Sequence, residues 1–450
     1  MSSAPFHVIV IGGGIGGLCL AQGLKAAGVS VAVYERNAAD AWPEGYRIHI
    51  NPVGGRALHD CLPPALWDLF VATAGKPPAG LGFLTEQLKE LVVIGEAFMA
   101  NRTDSAIDAH YPVNRSALRH LLLAGMQAVI HFDKTFQGYE QTADGKVTAF
   151  FVDGASATGD VLVAADGANS AVRKQYLPQA RRVEIDAVGI GGKLPLTEQT
   201  RAWLPRPLLS RMNLMMAPSH TTLFTTAFDH TPLSAVARKR LGEKAKALGL
   251  DAALLMDNSG DYILWALLAP GDAYPPGVRS LEGCGLQRFV GQRIEAWHPA
   301  LRRLVAESDP DSVLFKPFKT MLPVAPWPSS NITLLGDAIH NMPPTGGLGG
   351  NMALRDASLL ARKLIAVQAG ELPLLSAIQA YEAEMRAYGF AAVGEALQNT
   401  RQATSRNRIA RRAARVLFRV CSAVPPLKHG FENNWARPMR SSPERAIPGF

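Results

Sequence analysis

"HVIVIGGGIGGLCLAQGLKAAGVSVAVYER", residues 7 to 36, decides the fold at the front of the chain. Val8 to Ile11 is an uninterrupted apolar run, the pattern of a parallel strand buried on both faces. Leu18, Leu20, Ala21 and Leu24 then give a helical stripe, and Val29 to Tyr34 reads as a second strand. Between the first strand and the helix lies Gly12-x-Gly14-x-x-Gly17. Gly12 suits the tight turn, Gly14 lets a pyrophosphate approach the backbone, and Gly17 lets the helix pack on the strand. The helix N-terminus adds free N–H groups and the positive end of its dipole, both matched to phosphate. Glu35 ends the second strand, about 20 residues after the turn, where a carboxylate accepts hydrogen bonds from a ribose diol and repels a 2′-phosphate. The unit predicts a site for the AMP half of FAD or NAD, not NADP. Arg36 beside it reads either as a solvated charge or as a ligand contact.

Two later stretches repeat the strategy. In "GDVLVAADGANSAVRKQ" (159–175), strand residues Val161 to Ala165 run into Asp166-Gly167 before a helix opening near Ser170. In "NITLLGDAIHNMPPTGGLGGNMALRDASLLARKLIAV" (331–367), strand residues Ile332 to Leu335 end at Gly336-Asp337. A glycine-rich loop then leads into a helix marked by Met352, Leu359, Leu360, Leu364 and Ile365, with Asn351 as the expected N-cap. That loop delivers bare backbone to a helix N-terminus, again a place for negative charge.

The whole chain sets limits around these turns. Its 450 residues predict two or three domains and a sizeable core. No run reaches the roughly 18 apolar residues of a membrane span, and no basic region precedes the first apolar run as in an export signal. Cys19, Cys61, Cys284 and Cys421 stand far apart, without zinc spacing, and are expected to be reduced in a cytoplasmic protein; no metal site is predicted. GxSxG, HExxH and P-loop patterns are absent from the sequence. Charge is uneven. Residues 401–450 hold 11 Lys+Arg against 2 Asp+Glu, which is +9, so the total of +8 leaves −1 for the rest.

The three segments, in this order, resemble the single-component (group A) FAD monooxygenases, the family of para-hydroxybenzoate hydroxylase and the tetracycline-modifying monooxygenases. The motifs span residues 12 to 356. The resemblance implies that Gly12, Gly14, Gly17 and Glu35 hold the ADP part of FAD. It implies that Arg115 contacts FAD, that Asp166 and Gly167 serve both FAD and the nicotinamide cofactor, and that Asp337 bonds the ribityl chain. Pro343, Gly346, Gly347, Gly349 and Gly350, with Asn351, match the loop lining the isoalloxazine. Amides at that helix N-terminus would stabilise the negative charge of reduced flavin at N1 and the C2 carbonyl. Ile339 and Leu348 stand where many members have Ala and Gln, which alters the side chains available at the flavin edge but not the backbone. The implied reaction is reduction of FAD by NADH or NADPH, addition of O2 at C4a, and transfer of one oxygen from the hydroperoxide to an electron-rich substrate. The cofactor carries that chemistry, so no nucleophilic Ser or Cys is needed. Arg47, Pro343 and His340 are the candidate catalytic side chains, with a structural His340 as the other reading and Arg47 also a candidate cofactor contact.

The expected fold is α/β, α+β overall. It comprises a discontinuous Rossmann-like FAD domain (1–75, 105–180, 325–400), an antiparallel-sheet substrate domain (76–104, 181–324), and a basic C-terminal helix and tail (401–450). "LMMAPSHTTLFTTAFD" (214–229) reads as two strands, with Met215, Phe224 and Phe228 facing either ligand or core. The tail is expected to pack by Ile409, Ala413, Val416, Leu417 and Val420, with Arg408, Arg411, Arg412, Arg415 and Arg419 in solvent; a membrane-surface or nucleic-acid role is the other reading. The expected partners are a phenolic, polycyclic or other electron-rich small molecule, possible as a natural-product or antibiotic substrate, and O2. Nucleic-acid binding and stable membrane insertion are not expected, and the chain is read as monomer or homodimer. A related flavin reductase that inserts no oxygen is the alternative enzyme.

Overall fold

The structure is a computed structural model that describes residues 6–41, 47–95, 105–229, 235–255 and 260–440, without the side chains of 235, 237 and 433–440. The expected divisions run beyond these residues in several places, including the end of the tail at 441–450.

Strand His7–Ile11 lies at the centre of a five-stranded parallel sheet. The order is Ile332–Leu334, Val161–Ala164, His7–Ile11, Ser30–Tyr34 and Ile130–His131. Val8, Ile9, Val10, Leu162, Val163 and Ile332 are wholly buried, as strands covered on both faces require. Each such side chain contributes about 1.5–3 kcal/mol by leaving water. Helix Ile15–Ala26 packs over the sheet against helix Gly349–Gln368. The consequence for function is geometric. The strands before Gly12, Asp166 and Gly336 are adjacent and parallel, so all three turns emerge at the same carboxyl edge, where open α/β sheets bind ligands.

A second sheet of seven strands has the order Asp309–Met321, Arg182–Pro195, Tyr262–Ala269, Thr222–Phe228, Met212–Met216, Leu81–Leu84 and Glu90–Ile94. All neighbours are antiparallel except Met212–Met216 beside Leu81–Leu84. Its two faces differ. Ile190, Met215, Leu223, Trp265 and Leu267 form one face and are fully buried with Leu286, Val290, Leu301 and Leu304 of two covering helices. Leu214, Phe224, Leu264, Ala266 and Gly191 form the other face and are only half-buried. Met215 therefore belongs to the core, opposite the candidates Phe224 and Phe228. In a strand of period two, neighbours in sequence point to opposite faces.

The tail helix, Arg408–Ala423, departs from the expectation by turning Arg411 and Arg415 inward and its apolar residues outward, while Arg408, Arg412 and Arg419 stay exposed as expected. Arg411 is buried at 2% exposure and donates to the carbonyls of Ala217 (3.0 Å), Ala403 (3.1 Å) and Thr221 (2.7 Å) and to Thr222 Oγ1 (3.1 Å). Arg415 pairs with Glu86 at 3.1 Å, and Phe418 packs on Phe83. Ile409, Val416, Leu417 and Val420 face outward. Planar guanidinium donors satisfy loop carbonyls that aliphatic side chains would leave unpaired, and that decides the orientation. Burial, with Arg415 nearby, lowers the Arg411 pKa to about 10, so it stays charged at neutral pH. Among the described residues no helix is long and apolar enough to cross a membrane.

A buried polar network fixes the third turn. Asp356 Oδ2 accepts from the Gly336 N–H at 2.6 Å and bonds His340 Nε2 at 2.7 Å, while the Tyr388 hydroxyl donates to Oδ1 at 2.5 Å. Gly389 makes room for the imidazole, since a Cβ there would lie 2.6 Å from His340 Cδ2. Burial alone pushes the His340 pKa down, but the charge and hydrogen bond of Asp356, with Asp337 near, outweigh it and raise it overall.

Two outcomes follow. Arg411→Met should weaken docking of the tail helix by about 2–3 kcal/mol. Faster hydrogen exchange in residues 404–423 than in 7–36 is the measurement. His340 has a raised folded-state pKa, so its protonation stabilises fully below the unfolded value of 6.5, and the contribution is lost as pH rises through the folded value. The melting-temperature gap between wild type and His340→Gln should therefore narrow as pH is raised above about 6.5.

Candidate active site

The first turn contains two kinds of glycine. A Cβ on Gly12, whose φ is +112°, would lie 2.3 Å from the Ala165 carbonyl oxygen, and one on Gly17 would lie 2.2 Å from that of Gly12. These two are glycine because backbone meets backbone. Gly14 has φ −73° and nothing within 4 Å of its Cβ position, so its missing side chain leaves open space at the N-terminus of helix Ile15–Ala26. Glu35, buried, accepts from the Gly13 N–H at 2.7 Å and the Asn37 N–H at 2.9 Å. Arg36 is exposed. Arg115 opens helix Arg115–Leu122 and is also exposed, whereas Arg119, one turn on, is buried and reaches the Gly13 carbonyl at 3.4 Å. Sequence reading missed Arg119, although the spacing of four places it on the same helical face as Arg115.

Asp166 caps helix Ala171–Tyr176, accepting from the N–H groups of Ala171 (2.7 Å) and Val172 (3.3 Å) through Oδ2. Its Oδ1 is buried without a hydrogen-bond partner, and burial raises its pKa against the pull of Ser170 and the two amides. Gly167 has φ +78° and open space around its Cβ position. Arg173, quoted within the second motif but given no role there, donates to the carbonyls of Ala338 (2.7 Å) and Ala168 (3.1 Å). It ties the second turn to the third, and its Nε is buried without a partner.

At the third turn Asp337 is exposed, with its Oδ1 3.8 Å from the Cβ position of Gly349. Gly346 and Gly347 have φ +96° and +65°, and Gly347 borders open space. Pro343 is buried. Ile339 and Leu348 turn into the core. Helix Gly349–Gln368 begins with no side-chain cap, its N-cap residue being Leu348. Asn351 is thus not the cap. It lies in the first turn and acts as a cross-brace, accepting from the Asn51 N–H (2.9 Å) and donating to the carbonyls of His49 (2.9 Å) and Gly347 (3.0 Å). The uncapped first-turn amides are left for a ligand. His340 is wholly buried and engaged by Asp356, so it is not placed to act as a base.

Next to Asn351, His49 Nε2 and His110 Nδ1 share a hydrogen bond of 2.7 Å. Burial, and for His49 also its partner's charge, lowers their pKa values to about 3 and about 4, so both are neutral near pH 7. Sequence reading did not single them out. Arg47 is buried over the rings of Phe228 (5.8 Å) and Tyr262 (5.5 Å), with Asp261 at 3.6 Å. Its N–H donates to the Tyr262 hydroxyl at 2.9 Å, and its Nε is buried without a partner. The half-buried Phe224 lies on the same sheet face as Phe228.

These features fit FAD. The space at Gly14, Gly167 and Gly347 accepts a long ligand against bare backbone, and unpartnered atoms on Asp166, Arg173 and Arg47 offer acceptor and donors.

Two family profiles match the chain: an FAD binding domain over residues 316–396 and an NAD(P)-binding Rossmann-like domain over residues 10–70. Among solved structures, the chain is similar to a protein of Photorhabdus luminescens subsp. laumondii TTO1 described as an FAD-containing monooxygenase. Identity is 36% and the TM-score 0.78, covering 89% of this chain and 98% of that one. It is also similar to the dual O-methyltransferase/FAD-dependent monooxygenase CTB3 of Cercospora beticola, at 32% identity over 84% of this chain and 44% of that protein. The chain thus spans less than half the length of that curated relative. The FAD-dependent urate hydroxylase of Klebsiella pneumoniae subsp. pneumoniae is 28% identical over 84% of this chain and 85% of its own length. Turns, braces and likeness agree, and the chain belongs to the FAD-dependent monooxygenases of the single-component, para-hydroxybenzoate hydroxylase-like type.

Proposed function

We propose that this chain is an FAD-dependent monooxygenase that uses NAD(P)H and O2 to hydroxylate a bulky phenolic or polycyclic molecule. One observation carries the reading: the uncapped N-terminus of helix Gly349–Gln368 follows a loop with two left-handed glycines and lies beside the phosphate-binding type of turn at Gly12–Gly17. When bound, FAD would accept hydride from the nicotinamide and activate O2 for insertion of one oxygen atom into substrate.

The residues of the chain divide the remaining work. Amides at Gly14 to Gly17, that of Gly13 being taken by Glu35, would hold the pyrophosphate at a helix N-terminus, with the space at Gly14 admitting it. Glu35 holds the adenosine ribose by its free lone pairs, Asp337 the ribityl hydroxyls, and Asp166 and Gly167 the middle of the cofactor. Amides of residues 346 and 348 to 350, that of Gly347 being taken by the Pro344 carbonyl, would stabilise negative charge on the reduced ring without reorganisation. Asn351 keeps that loop in place through three hydrogen bonds. Phe224 and Leu264 supply an apolar wall that excludes water from the reacting face, beside Leu214 and Ala266, which pack in clusters with Phe418 and Ala403. Arg47, stacked on Phe228 and Tyr262, is the cation available to a phenolate or to the flavin edge. The chain has one GxGxxG, which the FAD takes, so the nicotinamide visits transiently.

The name of the urate hydroxylase supports a heteroaromatic substrate, and the apolar wall favours an apolar ring system. Purified protein should carry FAD, and a phenolic substrate should accelerate NAD(P)H consumption, with one labelled oxygen atom from O2 appearing in the product. Substrate-dependent consumption with unlabelled, reduced product would instead assign a reductase.

Gly14→Val separates ligand room from backbone strain. It should leave the melting temperature of cofactor-free protein nearly unchanged and cut FAD affinity by at least about tenfold, since φ −73° suits any residue while the added methyls fill the open space. Gly12→Ala should lose folded protein itself, because its Cβ would strike the Ala165 carbonyl.

A further inference from the structure

The tail helix places its surface in an order that packing alone does not select. Six of the fourteen exposed large apolar side chains among the described residues fall between 409 and 427: Ile409, Val416, Leu417, Val420, Val424 and Leu427. Ile409, Ala413, Val416, Val420 and Val424 follow one another at intervals of three or four and form a single stripe, with Leu417 beside it. The exposures are 81% at Ile409 and 58% at Val416, so the stripe is open. The opposite face is anchored by Arg411, by Arg415 on Glu86, and by Phe418 on Phe83. Rotation to bury the stripe would break all three contacts. Along one margin of the stripe run Arg408, Arg412 and Arg419, all exposed. Residues 401–431 hold eight Lys and Arg and no Asp or Glu.

We propose that this face is a docking surface for an anionic lipid bilayer, on which the helix lies in the interfacial plane. An apolar stripe with a cationic margin matches acyl chains below and anionic headgroups beside it. The charge pattern decides between occupants. A second copy would bring two rows of arginines together with no acidic side chain on either helix to pair them. A nucleic acid would use the arginines and leave the stripe in water. Of these three occupants, the bilayer satisfies both halves of the face. The enzyme would then sit peripherally, held by one helix, with Phe418 of that helix packed against the strand Leu81–Leu84 of the substrate-side sheet.

The test uses the full, FAD-loaded chain and flotation with vesicles of equal parts phosphatidylglycerol and phosphatidylcholine, against phosphatidylcholine alone. Partitioning onto the anionic vesicles should exceed that onto neutral ones by at least about tenfold and fall as salt is raised. Val416→Glu with Val420→Glu should remove binding, and Arg412→Glu with Arg419→Glu should reduce it at least about tenfold. FAD content and melting temperature report that each variant is folded. Should the valine pair fail that control, Val420→Ser alone should give a smaller drop in the same direction. Equal binding to both vesicle types, no binding, or binding indifferent to these substitutions would overturn the proposal. So would a dimer, seen by light scattering, that Val416→Glu dissociates, or oligonucleotide binding that the valine substitutions leave intact.

Discussion

The structure depends on three backbone turns meeting at one edge of a parallel sheet with no side chain between them. Gly12 and Ala165 approach so closely that a single methyl group would lie 2.3 Å from a carbonyl oxygen. The same economy recurs where Gly336 abuts Ala353, at 2.9 Å from its Cβ position, and where Gly54 meets Asn351 Oδ1 at 2.3 Å. Glycine in these places costs conformational entropy, and in exchange the ligand-facing N–H groups share one surface. The parallel strand order makes the arrangement possible, because each strand ends on the side where its neighbour ends.

Bare backbone does not hold itself in position, and the fold supplies buried polar braces for each turn. Glu35 takes the Gly13 N–H, Arg173 takes the Ala338 carbonyl, Asp356 takes the Gly336 N–H, and Asn351 joins the glycine loop to the segment around residues 49 to 51. Every one of these groups is removed from water and hydrogen-bonded, which is the condition under which a buried polar side chain orders its surroundings instead of destabilising them. The Tyr388 hydroxyl and the His340 imidazole complete the shell of Asp356. A site of this kind is stiff before any ligand arrives, as electrostatic stabilisation without reorganisation demands.

What was legible in the sequence follows from this division. Turns show themselves through glycine spacing and strand hydrophobicity, so Gly12, Gly14, Gly17, Asp166 and Asp337 are legible at strand ends from the sequence alone. Apart from Glu35 and Asn351, whose positions at a strand end and a helix start stand out, the braces come from far along the chain and carry little local signal. Arg119 reaches Gly13 across 106 residues and Arg173 reaches Ala338 across 165. Asn351 looked like a cap because Asn before a periodic stretch is one, yet the helix begins two residues earlier. Met215 could be read as ligand contact or as core because composition does not reveal which sheet face is covered, and the structure places it in the core. The covering helices lie about seventy residues later, at Gly283–Arg293 and Pro299–Ala306.

The tail helix marks the limit of amphipathicity as a guide to packing. Its pattern has two faces, and the ordinary inference sends the apolar one inward. Here the receiving surface offers the carbonyl oxygens of Ala217 and Thr221 to Arg411 and the carboxylate of Glu86 to Arg415. Burying valines over those groups would strand three acceptors, at a cost of about 1–3 kcal/mol each, against about 1.5 kcal/mol or more gained per aliphatic side chain. The two sides are of comparable size, and the structure turns Arg411 and Arg415 inward. The apolar face is left to whatever medium the protein meets, and its basic margin restricts that medium to one carrying negative charge at an apolar boundary.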